Sequence, residues 1–249
     1  MITRKNPDQI ALMRKAGRVV AEMHERCTRA AKPGVTTAEI DAVAREVLSE
    51  RGARSNFLNY HGFPAVICTS PNDVIVHGIP GDVELAEGDI LSLDCGAIIQ
   101  GWHADAAITV PIGEVDDESQ QLMDVTRRSL EAAIEEVQVG NTLGQVGAAV
   151  QAVAEGGGFS VVREYVGHGI GTAMHEDPQI PNYAGGPNQR YKLRSGLVVA
   201  IEPMVNAGKP GTRTLADGWT VVTSDGRRSA HFEHTIALTD DGPEVMTVA

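Results

Sequence analysis

Four stretches of the chain carry apolar residues at the three- and four-residue spacing of an amphipathic helix. The first predicted helix opens at Asn6-Pro7, a cap residue followed by proline, and stops at Lys32-Pro33-Gly34. The others are predicted over residues 36–52, 118–139 and 142–155. Thr36 and Glu39 have the spacing of a capping box, which defines where the second helix starts.

Short apolar runs bounded by glycine, proline and asparagine predict strands between and after these helices. Two short strands are expected at residues 65–69 and 74–77, followed by a hairpin over residues 92–105. A second long hairpin is predicted over residues 217–238, with its turn at Ser224-Asp225-Gly226-Arg227. Together the helices and hairpins indicate an α+β fold with antiparallel strands.

Part of the apolar and polar pattern of the sequence occurs twice. The second and fourth predicted helices have matching caps, apolar faces and terminators. The cap residues Thr36 and Thr142 are 106 positions apart (142 − 36), and His61-Gly62 is echoed by His168-Gly169. Both halves also contain an apolar run that lies between a glycine and an acid six residues later. These pairs are Gly88 and Asp94 in the first half, and Gly196 and Glu202 in the second. We therefore expect one domain, 1–249, built from pseudo-twofold-related halves, about 1–113 and 114–249, whose helices pack on a shared curved sheet.

The first hairpin places two acidic side chains on one face. A turn at Gln100-Gly101 pairs Gly96 with Asp105, and period-two alternation puts Asp94 on the same face as both. The two carboxylates are then diagonal neighbours, roughly 7 Å apart or less at Cβ. A buried carboxylate without a partner costs several kcal/mol, so a metal is one explanation and a solvated strand end is the other.

Further acids in apolar strands favour the metal. With Asp94 and Asp105, the residues Glu202, Glu233 and His168 form a set dominated by oxygen ligands. Such a set suits two divalent ions such as Mn, Fe(II) or Co better than a structural zinc ion. Four carboxylates nearly cancel the charge of two dications.

Composition restricts the partners and the cellular compartment that are expected for the chain. The chain has 249 residues, 42% hydrophobic content and a net charge of −12, and it lacks the basic stripe that a nucleic-acid substrate requires. Three widely spaced cysteines suit a reducing compartment, and no apolar run approaches the length of a membrane span. We expect a cytoplasmic protein with no membrane or direct nucleic-acid partner.

The motifs resemble those of type I methionine aminopeptidases, members of the pita-bread metallopeptidase family, over essentially the whole chain. The resemblance is carried by Tyr60-His61-Gly62-Phe63-Pro64, the segment from Asn72 to Pro80, Leu93-Asp94-Cys95-Gly96, Asp105, Gly167-His168-Gly169-Ile170-Gly171, His175-Glu176-Asp177-Pro178, Ile201-Glu202-Pro203-Met204 and Phe232-Glu233-His234-Thr235.

The resemblance implies removal of the initiator methionine from nascent polypeptides whose second residue is small. It implies that Asp94, Asp105, His168, Glu202 and Glu233 hold two metal ions, with Asp105 and Glu233 bridging them. A metal-bound water or hydroxide would attack the first peptide carbonyl, and Glu202 would shuttle the proton. His77 would contact the substrate and serve the leaving amine, and His175 would stabilise the oxyanion. His61, His103, His231 and His234 are expected around this centre or at the surface.

The resemblance also implies an apolar methionine pocket, lined by Tyr60, Phe63, Cys68, Trp219, Phe57 and Met174. Met174 stands where relatives often have Phe, and Phe57 where a smaller residue is common, so pocket size is open. Asn72, Val74 and Ser229 match positions that hold a monovalent cation in relatives.

Two other functions remain as alternatives. Xaa-Pro aminopeptidases and dipeptidases of the same fold share the five ligands, but they usually carry an additional N-terminal domain, whereas the first helix here is expected from about residue 7. A catalytically inactive pita-bread binding protein would typically lack metal ligands. We expect a monomer whose partner is the N-terminus of a nascent peptide, with transient ribosome association.

Overall fold

The chain, in a computed structural model that describes residues 2–249, contains four α-helices over that range. They are α1 Pro7–Ala30, α2 Thr37–Glu50, α3 Asp117–Glu135 and α4 Leu143–Gly156. Each coincides with a predicted stretch, although α3 begins one residue before residue 118 and α4 ends one residue after residue 155. The third ends before residue 139, because Glu136 and Val137 donate backbone hydrogen bonds to carbonyls three residues back and tighten the last turn.

The strands form antiparallel ladders that join the helices. The first half contains β1 Arg54–Ser55, β2 Ile67–Pro71, β3 Val74–Val76, β4 Ile90–Ile99 and β5 Trp102–Pro111. The second half contains β6 Ser160–Val161, β7 Gly167–Gly169, β8 Glu176–Ile180, β9 Val198–Ile201, β10 Met204–Asn206, β11 Thr212–Thr214, β12 Val221–Thr223, β13 Ser229–His231, β14 His234–Thr239 and β15 Gly242–Val245. The predicted α+β class is confirmed.

The sequence repeat has a structural counterpart in the two halves. Thr36 and Thr142 both cap their helices through a capping box. The residue before each helix pairs with the segment that leads into a central strand, Thr36 with Glu84 and Thr142 with Lys192. Helices α1 and α2 pack on β2, β4 and β5, whereas α3 and α4 pack on β8, β9 and β14. Both halves therefore have the same helix-on-sheet arrangement, as expected.

The β4–β5 hairpin has the predicted register. Ile99 pairs with Trp102 and Gly96 pairs with Asp105. Gln100 and Gly101 both have positive φ, 51° and 82°, which is the conformation of a two-residue turn that matches the twist of the strands. Asp94 and Asp105 therefore lie on one face of the hairpin.

The two halves meet along β5. Glu233 donates a backbone hydrogen bond to Ala107 (2.8 Å) and accepts one from it (3.3 Å), and the Thr235 hydroxyl donates to the Asp105 carbonyl (2.7 Å). The first-half ladder therefore continues into the β14–β9–β7 ladder of the second half. This junction places Asp105 of one half beside Glu233 of the other.

The prediction of a second long hairpin over residues 217–238 is wrong. Its two sides enter different sheets, since β12 pairs with β11 and β3, whereas β13 pairs with β10 and β14 pairs with β9. The Asn72-Asp73 turn lies between them, because Thr223 donates to the Asp73 carbonyl and Ser229 donates to the Asn72 carbonyl. Strand β12 therefore pairs with β3 of the first half instead of with β13, which follows it in the sequence.

One short strand is displaced from its predicted position. Strand β2 covers residues 67–71 rather than 65–69, because Asp41 on α2 accepts the backbone N–H of Val66 (2.8 Å) and Ile67 (3.2 Å). None of the helices in residues 2–249 is long and apolar enough to cross a lipid bilayer.

Candidate active site

A cavity of about 220 Å³ lies where the two halves meet. It is lined by both polar and aromatic side chains: Phe57, Tyr60, Phe63, Cys68, His77, Asp94, Asp105, Tyr165, Val166, His168, Met174, His175, Glu202, Trp219 and Glu233. The structure therefore brings together every residue predicted as a ligand of the divalent metals, a catalytic group or a wall of the methionine pocket.

Five separate elements supply the polar floor of the cavity. Asp94 lies on β4 and Asp105 on β5, with side chains on the same face because the strands alternate. His168 lies on β7, Glu202 directly follows β9, and Glu233 lies between β13 and β14. Since β4, β5, β14, β9 and β7 are neighbours across the junction, residues far apart in sequence converge on one point.

The distances among these side chains suit a metal site. One ligand atom each from Asp105, His168 and Glu233 lies within 4.8 Å of the other two. Glu202 adjoins this group, with its Oε1 3.7 Å from His168 Nε2. The Nδ1 of His168 lies 2.8 Å from the Gly169 carbonyl. A carbonyl oxygen only accepts, so Nδ1 carries the proton and Nε2 presents its lone pair to the cavity.

Three carboxylates of the floor each have an oxygen without a protein partner in the described part of the chain. Within residues 2–249, Asp94 Oδ1, Asp105 Oδ1 and Glu233 Oε1 are buried without a hydrogen bond. A buried charged group with no partner is costly, so proteins normally pair such groups or coordinate a metal with them. The unpartnered oxygens fit divalent cations, which prefer carboxylate and imidazole ligands.

The pKa values of the floor shift toward the neutral forms. Burial raises the pKa of Asp94 to about 7. Burial, and then the charges of Glu233 and Asp94, raises the pKa of Asp105 well above its ordinary value. The pKa values of Glu202 and Glu233 rise for the same reasons. Burial lowers the pKa of His168 to about 3. Bound cations would favour the ionised acids and the neutral imidazole.

His77 is held in an unusual backbone conformation at the side of the cavity. Its φ is +59°, in the left-handed region that side chains other than glycine rarely adopt. Its ring lies 5.6 Å from the ring of Tyr165 and 6.3 Å from that of Trp219. Burial, and then the nearby His175, lowers the pKa of His77 to about 4, so its imidazole is neutral at pH 7.

His175 lies at the mouth of the cavity and is oriented by Tyr60. The Tyr60 hydroxyl is 2.7 Å from His175 Nδ1, and the ring of His168 lies 4.3 Å from the ring of His175. Burial, and then His61, lowers the pKa of His175, which favours a neutral ring. If the hydroxyl donates to Nδ1, the proton of His175 lies on Nε2 and is available to a ligand.

The turn that carries His175 is fixed by the N-terminal segment. Glu176 Oε2 accepts hydrogen bonds from Lys5 Nζ (2.8 Å) and the Thr3 hydroxyl (2.7 Å). Its Oε1 accepts from the backbone of Thr172 (2.9 Å). Gly171 is needed here, because a Cβ would lie 2.6 Å from Lys5 Cε and 2.5 Å from Glu176 Oε1. The buried Lys5 therefore clamps the turn through the carboxylate beside His175.

An apolar pocket adjoins the carboxylates. Its cluster is formed by the buried Phe57, Phe63, Ala65, Cys68 and Met174, with Tyr60, Ile79 and Trp219 packed against them. Phe63 meets Phe57 and Trp219 edge to face at ring distances of 6.4 and 5.2 Å. Burial raises the pKa of the Cys68 thiol well above its ordinary value, so it stays protonated. Aromatic rings and sulfur atoms form a soft wall.

Two lining residues, Tyr165 and Val166, were not predicted. The signal was their position directly before Gly167-His168-Gly169, a segment predicted to approach the centre. The predicted monovalent-cation residues lie outside the cavity lining: Ser229 donates its backbone N–H to the Asn72 carbonyl (2.9 Å), and Val74 begins β3. The buried His231 has its Nε2 3.8 Å from Glu233 Oε2, whereas His61 is exposed.

Comparison with known proteins assigns the family. A model of Metallopeptidase family M24 matches residues 11–240. The chain belongs to metallopeptidase family M24. It is 49% identical to methionine aminopeptidase 1 of Bacillus subtilis, over 99% of this chain and 99% of that protein. It is 46% identical to methionine aminopeptidase 1 of Mycobacterium tuberculosis, over 100% of this chain and 96% of that protein.

Solved structures agree with this family assignment. The crystal structure of methionine aminopeptidase from Thermotoga maritima is similar with a TM-score of 0.97 and 42% identity, and the match covers 100% of both chains. Prolidase from Pyrococcus furiosus shares the fold, with a TM-score of 0.79 at 18% identity over 99% of this chain and 65% of that chain. The predicted resemblance and the pita-bread fold are confirmed, and the M24 chain is a metallopeptidase with a divalent-metal site.

Proposed function

We propose that this M24 metallopeptidase removes the N-terminal methionine from polypeptides whose second residue is small, with residues 1–249 acting as one catalytic domain. The observation that carries the proposal is the apolar pocket of Phe63, Cys68 and Met174, which opens directly onto the buried carboxylate cluster. An unbranched thioether side chain fits such a wall of aromatic rings and sulfur atoms. Its backbone would then lie beside the metal ligands.

We infer two divalent ions, with Mn, Fe(II) and Co as the candidate metals, held by Asp94, Asp105, His168, Glu202 and Glu233. Asp105 and Glu233 are the proposed bridging ligands, since they meet at the centre of the junction between the halves. When bound, the ions would polarise the scissile carbonyl and make water a nucleophile at neutral pH. A monovalent cation at Asn72, Val74 and Ser229 is a further proposal.

Glu202 is the proposed proton carrier. It lies at the edge of the ligand group, and burial together with Asp94 and Asp105 raises its pKa well above the ordinary value. An ionised carboxylate at this position can accept a proton from attacking water as a general base. It then returns the proton to the amine that leaves when the peptide bond breaks.

The two neutral histidines have separate proposed roles. His175 donates from Nε2 to the oxyanion that forms at the scissile carbonyl, because Tyr60 occupies its Nδ1. His77 also lines the cavity, and its proposed contacts are the substrate backbone and the leaving amine. Its positive φ sets the direction of its Cα–Cβ bond, and the rings of Tyr165 and Trp219 lie edge-on to its imidazole.

The direct test compares three peptides. Met-Ala-Ser should release methionine, Met-Leu-Ser should be cleaved at least about 100-fold more slowly, and an Xaa-Pro peptide should be a poor substrate. Chelation of divalent ions should abolish the release, and added Mn²⁺ or Co²⁺ should restore it. Preferential release of the residue before proline would support the Xaa-Pro alternative instead. Tight metal binding without hydrolysis of any peptide would support the inactive binding protein.

Replacing His77 with alanine should depress turnover of Met-Ala-Ser by about 10- to 1000-fold while leaving metal content unchanged. The imidazole lines the cavity but does not belong to the ligand group. Metal analysis and kcat of the same preparation measure both effects. Loss of the metals in this variant would contradict the proposed role, because a substrate contact should not alter metal affinity.

Replacing Glu176 with glutamine should lower kcat/KM by about 10-fold, because the amide cannot hold Lys5 and the Thr172 backbone as firmly as the carboxylate does. The pH profile should also change, since a looser turn alters the environment of His175. Glu176→Asp should recover part of the activity. An unchanged pH profile, with activity lost only in proportion to folded protein, would show that the clamp is structural.

We also propose that the protein acts in the cytoplasm as a monomer. Its partner would be the N-terminus of a nascent chain, and transient ribosome association would bring it to that substrate.

A further inference from the structure

A second depression adjoins the cavity on the first half of the chain. We call it the distal groove and define it by Arg54, Asn56, Leu58, Asn59, Ile98 and His103; it measures about 670 Å³. Tyr60 lines both the cavity and the distal groove. The two spaces therefore adjoin at one side chain.

The floor of the distal groove is an extension of the catalytic face. Ile98 on β4 pairs with His103 on β5, two positions beyond the pair formed by Gly96 and Asp105. Since strand side chains alternate, Ile98 and His103 lie on the same face as Asp105. Two residues of a strand span about 7 Å, and an extended peptide advances about 3.3 Å per residue. A substrate held at the metal ligands would reach the groove with its third to fifth residues.

Several groups in the distal groove lack partners of their own. Asn56 is 5% exposed, and its Nδ2 donates to the Ala104 carbonyl (3.0 Å), but its Oδ1 makes no hydrogen bond within residues 2–249. His103 Nδ1 is buried without a partner over the same range. Leu58, at 39% exposure, is one of the large apolar side chains left open to solvent. An apolar side chain of a bound peptide would cover Leu58, whereas Asn56 Oδ1 and His103 Nδ1 lie beneath the surface of the groove.

The charge of the distal groove is opposite to that of the chain. The chain carries a net charge of −12, yet Arg45 and Arg54 both line this depression. Arg45 is paired with Asp41 at 2.6 Å. Arg54 lines the groove and has no ion pair among the described residues. An unpaired guanidinium beside a peptide path favours an acidic side chain on that peptide.

We propose that the distal groove binds the third to fifth residues of the polypeptide substrate, and that Arg54 favours an acidic side chain among them. This inference rests on the proposed function, since it requires an N-terminal methionine in the cavity. It makes the segment beyond the small second residue a determinant of which nascent chains are processed fastest. Arg54 contacts substrate but takes no part in the bond cleavage.

The test uses two peptides, Met-Ala-Asp-Asp-Ser-Gly and Met-Ala-Lys-Lys-Ser-Gly, with the metal-loaded enzyme at low salt. The wild-type enzyme should cleave the acidic peptide with a kcat/KM about three- to tenfold higher, the range expected for one or two solvated charge pairs. Arg54→Gln should bring the ratio to within about twofold of one. Arg190→Gln, which removes an exposed arginine of the second half, should keep the wild-type ratio.

The outcomes separate this inference from the proposed function. Equal kcat/KM values for both peptides in the wild-type enzyme, or a preference that survives Arg54→Gln, would overturn the role of the distal groove while methionine release stands. Failure to release methionine from either peptide or from Met-Ala-Ser would overturn the proposed function itself. The preference should also shrink as salt is raised to 1 M, because exposed charges are screened there.

Discussion

Replacing Asp105 with asparagine should abolish methionine release and, at the same time, stabilise the metal-free protein. Asp105 is 4% exposed, and its Oδ1 lacks a hydrogen bond in the described residues. Glu233 and Asp94 add their negative charges to the cost of burial. The amide keeps the shape and does not ionise, so folding no longer has to neutralise or bury a carboxylate, and we expect the free energy of unfolding without metal to rise by about 1–3 kcal/mol. Catalysis should fall by about 1000-fold or more, because Asp105 is a proposed ligand of the divalent ions.

The sign of the pH dependence follows from the raised pKa values. A carboxyl whose pKa is higher in the folded state keeps a proton that the unfolded chain has released, so stability falls as pH rises through the folded pKa. Asp94, with a pKa of about 7, should therefore make the metal-free protein more stable at pH 7 than at pH 8. Each such proton changes the free energy of unfolding by at most about 1.4 kcal/mol per pH unit. Buried histidines act in the opposite direction only below about pH 6.5.

Urea denaturation in the presence of a chelator measures these stabilities for the wild type and Asp105→Asn at pH 7 and pH 8. Added Mn²⁺ should stabilise the wild type strongly and the variant weakly, since the ions bind the folded state. A variant that is less stable than the wild type without metal, or equally stabilised by Mn²⁺, would contradict this account of the carboxylate cluster.

Replacing Glu202 with glutamine should lower kcat for Met-Ala-Ser by about 100- to 10,000-fold, the usual range for removal of a proton-transfer group. Glutamine retains a carbonyl oxygen as a weak ligand but cannot take up and return a proton. KM should change less than kcat, because the pocket of Phe63, Cys68 and Met174 is untouched. Steady-state kinetics with metal in excess separate the two parameters.

Glu164→Gln is a matched control for Glu202→Gln, because Glu164 is exposed and immediately precedes the lining residue Tyr165. This control should retain wild-type kcat. A Glu202→Gln enzyme with more than about a tenth of wild-type turnover at saturating metal would show that another group carries the proton.

The chemistry of the centre was accessible from the sequence where local rules govern it. The Gln100-Gly101 turn fixes the register of the first hairpin, and period-two alternation then places Asp94 and Asp105 on one face. The repeat relates Thr36 to Thr142 because a capping box is a local signal. His168, Glu202 and Glu233 were candidates from their sequence context, but local rules could not show that they converge, since their convergence depends on contacts between the halves.

Non-local pairing explains what the sequence did not reveal. The predicted second hairpin fails because the Asn72-Asp73 turn from the first half lies between β12 and β13. The clamp of Lys5 on Glu176 joins residues 171 positions apart, and no periodic pattern in the sequence predicts such a pair. The distal groove likewise arises where β1, β4 and the segment before Tyr60 meet, so Arg54 shows no special role in the sequence alone.

The most direct test of the central claim is the number of divalent ions that the folded chain binds and which side chains hold them. Equilibrium dialysis of metal-stripped protein against Mn²⁺ should give two ions per wild-type chain, and at most one tightly bound ion for Asp105→Asn or Glu233→Gln. Full binding in both variants would contradict the account, because the unpartnered oxygens of Asp105 and Glu233 would then not be needed as ligands. No binding by the wild type would contradict it as well, because those oxygens would have no cation to bind.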